Sequence, residues 1–394
     1  MGDDLPRHRG RRTIWRMDAP RQPTQGQRAL ADRLARGEAG YASDVTKLDT
    51  ARYHDPARFA AELRLLFGGT PLPLIPSALL PDPGMAFAHD DYGPALIVSR
   101  DMEGAIHVFA NSCRHRGTRL LDDAEPVAAK RLACPYHGWT YKVDGCLAGV
   151  PRPDCFPGLD KGALGLKEYP SREAGGMIWF ALDTGADLSD CDWLTEDFEA
   201  IGLAGEQFFR RRTHDVAADW KLVIDAFLES YHVQRLHRES IAGFFADGIA
   251  VGDRLGPHQR FAVGRADYAA KIDASDWPQV RGAMTFTYHL FPNAILIASP
   301  DYFNLLVVHP SDVGSCSVSD FMLIPAGANA ADEKWEKSWS LLDGGVFGAE
   351  DFRAAALCQK GIERGATEEM VLGKLEGAIV EFHDELDRRL QAGS

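Results

Sequence analysis

The sequence predicts an α+β fold, in which a small all-β domain precedes a larger domain built from an antiparallel sheet covered by helices. Short runs rich in β-branched and aromatic residues, separated by Gly and Pro, dominate residues 85–182 and are typical of strands. After residue 182, strand-like runs mix with helical periodicity. These observations divide the chain into an N-terminal arm with a helical segment (1–70), a β domain (71–182) and a mixed domain (183–394).

The composition excludes several classes of protein. The 394 residues include 43 Lys and Arg against 57 Asp and Glu, a net charge of −14, which argues against binding to nucleic acid or to an anionic membrane. The sequence contains neither an apolar run of the ~20 residues that span a bilayer nor an apolar segment after its twin Arg. Its seven cysteines are an odd number spread thinly, which fits a reducing compartment. We therefore expect a cytoplasmic protein.

Local patterns predict the elements in order. Phe59, Leu63 and Phe67 recur every fourth residue and predict a helix near 55–67 with one apolar face. Residues 70–84 carry five prolines and are expected to form a loop. Strands are predicted in four segments of the β domain, which are 93–100, 105–112, 131–141 and 176–182.

The mixed domain combines both kinds of element. Residues 220–232 are predicted to be helical and residues 285–310 to contain three strands. A long amphipathic helix is predicted over 367–390, with Thr367 as its cap and an acidic first turn.

Two half-motifs in the β domain carry candidate metal ligands. Cys113-x-His115 is separated by eighteen residues (116–133) from Cys134-x-x-His137. Thiolate and imidazole ligands suit either zinc or an iron–sulfur cluster. A Cys₂His₂ zinc site is therefore the alternative that spacing alone leaves open.

The residues around these ligands narrow the choice. The strings CRHRG and CPYHGW resemble the Rieske [2Fe–2S] motif, with a separation between the halves slightly longer than is usual. The resemblance implies that Cys113 and Cys134 hold one iron of the cluster and that His115 and His137 hold the other.

A second set of candidates lies in the segment from Asp219 to His237. On a helix, Glu229 and His232 would lie about 60° apart, whereas His237 would lie about 140° from His232. If both histidines bind one metal, the helix must end or kink near Val233.

This segment, DWKLVIDAFLESYHVQRLH, resembles the catalytic motif of Rieske non-haem iron oxygenases. The resemblance implies that His232 and His237 are ligands of a mononuclear Fe(II). It also implies that Glu229 is a bridging carboxylate, linking His232 to His137 of the partner subunit; the alternative is a solvated Glu on a helix. Asp219 and Ala226 depart from the family pattern, which commonly has Asn at both positions, but neither change removes a ligand.

The third iron ligand must be a later carboxylate. Asp351, in GAEDFRAAALCQKGI, resembles the corresponding family segment and is the implied ligand of a 2-His-1-carboxylate site. Glu350, Asp343 and Asp384 are the other choices. The alternative interpretation is that Glu350 and Asp351 are simply the acidic start of a helix.

Other residues receive no ligand role. The remaining cysteines are expected to be buried or inert thiols: Cys146, Cys155, Cys191, Cys316 and Cys358. Three histidines in strand patterns, His107, His289 and His309, are expected to be packed or hydrogen-bonded. Several apolar residues could line a substrate pocket, although apolar strand residues more commonly form core: Phe227, Phe244, Phe245, Phe286, Ile295, Ile297 and Phe303.

From about Tyr53 to Gly365, the chain resembles the large (alpha) subunit of Rieske non-haem iron oxygenases of the aromatic-ring-hydroxylating type. This implies a Rieske domain followed by a helix-grip (START-like) catalytic domain. It also implies insertion of oxygen from O₂ into an aromatic or related small organic substrate, using two electrons. Demethylation or oxidation of a quaternary amine is the alternative reaction.

The same resemblance implies partners. Because no G-x-G-x-x-G follows a predicted strand and no plant-type ferredoxin motif is present, NAD(P)H would act only through a separate reductase, with or without a ferredoxin. A homotrimer is implied, with or without a small beta subunit. Two rival classes remain, a metal-stabilised ligand-binding protein without oxygenase activity and a pure electron carrier.

Overall fold

The computed structural model describes residues 22–40, 42–267, 273 and 276–392. The N-terminal segment contains two helices and one strand, which are α1 Gln25–Ala35, β1 Thr46–Asp49 and α2 Pro56–Glu62. Thr24 forms a capping box at the start of α1. The twin Arg lies outside the described residues.

The β domain is built from three small antiparallel sheets. Its strands are β2 Leu72–Pro76, β3 Met85–His89, β4 Leu96–Arg100, β5 Ile106–Ala110, β6 Val127–Ala128, β7 Arg131–Ala133, β8 Thr140–Lys142, β9 Leu147–Gly149, β10 Glu168–Tyr169, β11 Ser171–Ala174 and β12 Met177–Phe180. The orders are β10-β5-β4-β3-β6, β11-β12-β2 and β7-β8-β9. The four predicted strand segments all contain strands.

The following region is a seven-stranded antiparallel sheet with helices packed on it, in the order β13-β19-β18-β17-β16-β15-β14. Its elements are α3 Thr195–Ile201, β13 Gln207–Val216, α4 Trp220–Phe227, α5 Val233–Leu236, β14 Phe245–Leu255, β15 His258–Arg265, α6 Trp277–Ala283, β16 Met284–Leu290, β17 Ala294–Ala298, β18 Phe303–Asp312, β19 Ser315–Ile324, α7 Glu333–Trp339, α8 Phe352–Ile362, β20 Glu369–Leu372 and α9 Gly377–Ala392. The predicted α+β architecture is confirmed.

One apolar core joins the two regions. It runs from Phe87 and Val98 of the β domain through Trp179 to Leu296 and Phe382 of the mixed region, all buried. A second, smaller core surrounds the loops that carry the candidate cluster ligands.

Three predictions of local structure are wrong, and the first concerns residues 70–84. Leu72–Pro76 is a fully buried strand that pairs with β12. The strand lies at the edge of its sheet, where proline costs no ladder hydrogen bond on the open side.

The second error concerns the helix near 55–67. From Leu63 to Phe67 the backbone is a π-helix, which inserts an extra residue per turn and rotates the apolar stripe. Phe59 and Phe67 are buried as predicted, but Leu63 is 40% exposed.

The third error concerns the predicted helix over 367–390, which starts only at Gly377. Residues Glu369–Leu372 instead form a strand paired antiparallel with β1, so Thr367 is not a helix cap. Tertiary pairing with the N-terminal segment overrides the local acidic pattern.

Candidate metal centres

Two loops of the β domain bring Cys113, His115, Cys134 and His137 together. The first loop follows β5, and the second is the tip of the β7–β8 hairpin. Both cysteines are buried, and the two histidine rings lie 4.6 Å apart between centroids. The sequence-predicted set is therefore one cluster of side chains.

The two loops share one backbone design. Gly117 N–H donates to Cys113 O at 2.7 Å, and Gly138 N–H donates to Cys134 O at 3.0 Å. Both glycines have positive φ, 74° and 70°, which a residue with a Cβ rarely adopts. This explains why a glycine follows each ligand pair.

The donor atoms suit a metal cluster. The Nδ1 atoms of His115 and His137 are buried and have no hydrogen-bond partner within the described part of the chain, which is costly unless a ligand takes them. Burial raises the pKa of the Cys134 thiol, but hydrogen bonds from the backbone N–H groups of His137 and Tyr136 and from the side chains of Cys113 and Thr118 together lower the pKa below its usual value. Two thiols and two imidazole nitrogens are the donor set of a Rieske centre.

Aromatic residues hold these ligands in place. Trp139 stacks on His115 with centroids 5.0 Å apart, and Phe156 meets the same ring edge-on. Arg114 N–H donates to the Tyr141 hydroxyl at 2.9 Å, which leaves that O–H free to donate to Cys113 Sγ at 3.4 Å.

The second candidate centre forms where a helix is broken. Helix α4 ends at Phe227, and α5 begins only at Val233. His232 and His237 flank the short helix α5, and their rings lie 5.1 Å apart between centroids. The break was predicted near Val233 and lies slightly earlier.

Asp351 completes this centre from the far end of the chain. Its Oδ1 lies 3.1 Å from His237 Nε2 and 3.7 Å from His232 Nε2, and this oxygen is buried without a hydrogen-bond partner among the described residues. Asp351 ends a π-helical segment, Ser340–Asp351, that continues into α8. Two imidazoles and one carboxylate that converge in this way are the ligand set of the facial triad in non-haem iron sites.

A carboxylate contacts Nδ1 of each histidine, the ring nitrogen on the opposite side from Asp351. Glu229 contacts Nδ1 of His232 and accepts from that residue's backbone N–H at 3.1 Å. Glu350 lies 2.8 Å from His237 Nδ1 and accepts from Ser240 at 2.6 Å. Such contacts keep the proton on Nδ1, so that Nε2 is free to bind a metal.

Glu229 is not the solvated residue of the alternative interpretation, since its side chain is only 9% exposed. From the sequence, Glu350 is only a rival ligand, but in the structure it is the partner of His237 Nδ1. No spacing rule could have found this role, because the two residues are 113 positions apart.

The other two rival carboxylates lie elsewhere. Asp343 is paired with Arg212 at 2.6 Å and with His214 at 2.5 Å, and Asp384 is an exposed residue of α9.

A cavity of about 1390 Å³ reaches His232, His237 and Asp351. Four of the predicted pocket residues line it: Phe227, Phe244, Phe245 and Ile297. The other three do not. Phe286 and Phe303 are immediate neighbours of the cavity-lining Thr287 and Asn304, and so they face the other side of the sheet. Ile295 is fully buried in the core.

Of the cavity floor, sequence reasoning identified only Ile297. Phe261, Thr287, Ile297 and Asn304 form one cross-strand row over β15 to β18 and all line the cavity. Asn304 donates to Asp320 at 3.0 Å, and burial raises the pKa of Asp320 to about 8. Strand alternation was the available signal, but it does not say which face meets the cavity.

Outside the two centres, burial applies to only two of the five remaining cysteines, and the three histidines are hydrogen-bonded or packed as expected. Cys191 and Cys316 are buried, but Cys146, Cys155 and Cys358 are exposed. His107 bonds to Glu168 and Asp101, and His289 bonds to Pro292 O. His309 is packed against Tyr92 at 4.5 Å.

Comparison with known proteins matches two parts of the chain to known families. Residues 71–170 match the family described as the Rieske [2Fe-2S] domain, and residues 204–392 match the ring hydroxylating alpha subunit (catalytic domain). Among solved structures, the quaternary ammonium Rieske monooxygenase CntA superposes with a TM-score of 0.75 at 18% identity, over 95% of this chain and 100% of that one.

Curated relatives are similar over part of their length. The glycine betaine monooxygenase oxygenase subunit of Chromohalobacter salexigens is 33% identical over 54% of this chain and 48% of the relative. The large oxygenase component of the naphthalene 1,2-dioxygenase system of Ralstonia sp is 32% identical over 48% of this chain and 44% of that protein. The matched part is thus less than half the length of each relative.

Proposed function

The chain belongs to the family of Rieske oxygenase large subunits, and from that premise we propose that it is the terminal oxygenase of a multicomponent system. The observation that carries this proposal is the 2-His-1-carboxylate set of His232, His237 and Asp351 at a cavity large enough for an organic substrate. We also propose that residues 71–182 form the Rieske domain and residues 183–394 the catalytic domain.

Cys113, Cys134, His115 and His137 would hold a [2Fe–2S] cluster that passes single electrons. Both histidines are only partly buried, so their outer edges face the surface, where a donor can reach them. We propose that NAD(P)H supplies the electrons through a separate reductase, with or without a ferredoxin. None of the helices described is long and apolar enough to cross a membrane, and we propose a cytoplasmic location.

His232, His237 and Asp351 would hold a mononuclear Fe(II), which when bound supplies the site for O₂ activation. The protein's contribution is positional. Glu229 and Glu350 hold the protons of the two rings on Nδ1, so both Nε2 lone pairs face Asp351. The apolar walls, including Phe227 and Phe347, would orient the substrate and exclude water.

Glu229 is proposed to link His232 to His137 of the partner subunit within a homotrimer, with or without a beta subunit. Its support is that Glu229 already contacts His232 and that the neighbouring Tyr231 is 52% exposed. Tyr136, beside the cluster ligand, is 59% exposed. Two exposed aromatic residues next to the two centres are typical of surfaces that become buried between subunits.

The proposed substrate is an aromatic or related small organic molecule. The aromatic rings of Phe227, Phe261, Phe347 and Tyr302 line the cavity and suit stacking on a flat ring. The same rings suit a quaternary ammonium group, and the similarity to a glycine betaine monooxygenase favours amine oxidation or demethylation as the second candidate.

Metal analysis and a substrate screen test the proposal together. We expect three irons per chain and the visible and rhombic signals of a reduced Rieske cluster; stoichiometric zinc in place of iron would support the ligand-binding alternative. Oxygen uptake with a surrogate reductase should be stimulated by one class in a panel of aromatics, methyl ethers and betaines. A cluster that turns over electrons without any substrate-dependent uptake would support the electron-carrier alternative.

A further inference from the structure

A second set of two histidines and one aspartate lies where the Rieske domain meets the catalytic sheet. His89 ends β3, Asp91 follows two residues later, and His309 lies on β18. Asp91 Oδ2 is 3.8 Å from His89 Nε2 and 3.6 Å from His309 Nε2. These separations resemble the 3.1 and 3.7 Å of the proposed iron triad.

The two histidines are fully enclosed, with side chains 0% and 1% exposed. Both Nε2 atoms lack a hydrogen-bond partner among the residues that the structure describes. A buried polar atom without a partner costs free energy, and two such atoms facing one carboxylate require an explanation. Burial also lowers the pKa of His89 to about 4 and of His309 to about 3, so both imidazoles are neutral and can bind a metal at pH 7.

We propose that His89, Asp91 and His309 form a second divalent-cation site, separate from the iron triad and suited to Zn²⁺. Tetrahedral zinc with bonds of ~2.0–2.1 Å separates its ligand atoms by about 3.4 Å. The two separations from Asp91 need to shrink by only a few tenths of an ångström, and the three ligand atoms all lie within 4.8 Å of one another. Because the ligands come from both domains, the ion would fasten the Rieske domain to the catalytic sheet.

The surroundings limit how tightly this site binds. Arg211 and Ser319 donate to Asp91 Oδ2 at 3.3 and 3.1 Å, which orients the carboxylate but places a positive charge beside the cation. Nδ1 of His309 has no hydrogen-bond partner in the described residues. Among the described residues, Nδ1 of His89 accepts only a long hydrogen bond of 3.4 Å from the Asp91 N–H, which is weak. We therefore expect weaker metal binding than at the iron triad, where a carboxylate contacts Nδ1 of each histidine.

Zinc binding to cluster-loaded protein carrying His237→Ala tests the site, because this change removes a ligand from the iron triad. Equilibrium dialysis should find one Zn²⁺ per chain, and zinc should raise the thermal unfolding midpoint. Adding either His309→Gln or Asp91→Asn should weaken zinc binding at least tenfold and abolish the midpoint shift. Asp91→Asn keeps the side-chain shape at a partly exposed position, so it serves if His309→Gln does not fold.

The matched control is His289→Gln, which changes an equally buried histidine on a different strand of the same sheet. It should leave zinc binding unchanged. The proposal is overturned if the His237→Ala protein binds no zinc, or if Asp91→Asn binds it as tightly as its parent. An anomalous zinc signal placed away from β3 and β18 would also overturn it.

Discussion

Replacing Glu350 should loosen the mononuclear metal without touching the cluster. Glu350 makes two hydrogen bonds, to His237 Nδ1 at 2.8 Å and to Ser240 at 2.6 Å. Removing such an outer partner of a ligating histidine costs about 10–100-fold in metal affinity, which is about 1.4–2.8 kcal/mol. We therefore expect Glu350→Ala to weaken Fe(II) binding by that factor. Glu350→Gln should lose less, because its amide oxygen can still accept from Nδ1.

Chelator competition on cluster-loaded protein measures this affinity, and the visible absorption of the cluster is the internal reference. Glu363→Ala is the matched control, since Glu363 is an exposed residue just after α8 whose carboxylate lies 3.9 Å from Arg364. It should bind Fe(II) like the wild type. If Glu350→Ala stays within twofold of the wild-type affinity, the positioning role of Glu350 is wrong.

Three further changes test other parts of the structure. Glu229→Gln should retain both metal centres but slow electron transfer between them; a wild-type rate in single-turnover rapid mixing would argue against the bridge. Lys221→Met should destabilise the start of α4 by about 3–5 kcal/mol, because Lys221 is buried between Glu62 at 2.7 Å and Asp219 at 2.9 Å; an unchanged urea midpoint would contradict this. Burial lowers the pKa of His258 to about 4 and of His289 to about 3 in the folded chain. As the pH drops below 6.5, the unfolded chain becomes protonated at these histidines before the folded chain does, so the free energy of unfolding falls. At pH 5 the loss is about 2 kcal/mol for each histidine, and equal urea midpoints at pH 7.5 and pH 5 would show that these rings are not buried in the neutral form.

The candidate ligands were predictable because chemistry restricts them to few residue types at characteristic spacings. Cys113 and His115, like Cys134 and His137, are close in sequence and share a loop, so each pair is recognisable locally. Asp351 lies more than a hundred residues after His237, and only its resemblance to a family segment singled it out.

The remaining parts of the centre depend on tertiary structure. Glu350 precedes Asp351 in sequence, and only the fold decides that Asp351 lies beside His237 Nε2 and Glu350 beside His237 Nδ1. The cavity floor likewise depends on which sheet face the helices leave open, and alternation along a strand cannot decide that.

The errors in secondary structure have the same origin. Leu72–Pro76 is a strand because β12 offers it an edge, despite its prolines. Glu369–Leu372 is a strand because β1 pairs with it. Apolar residues at every fourth position do not reveal the π-helical turn that exposes Leu63.

Single-turnover incorporation of isotopically labelled O₂ tests the central claim most directly. Cluster-reduced protein is mixed with labelled O₂ and the substrate class that stimulates oxygen uptake, and the product is analysed by mass spectrometry. We predict labelled product from the wild type and none from His237→Ala, although that variant keeps the spectrum of its cluster. Labelled product at the wild-type yield from His237→Ala would show that oxygen is not inserted at the centre formed by His232, His237 and Asp351.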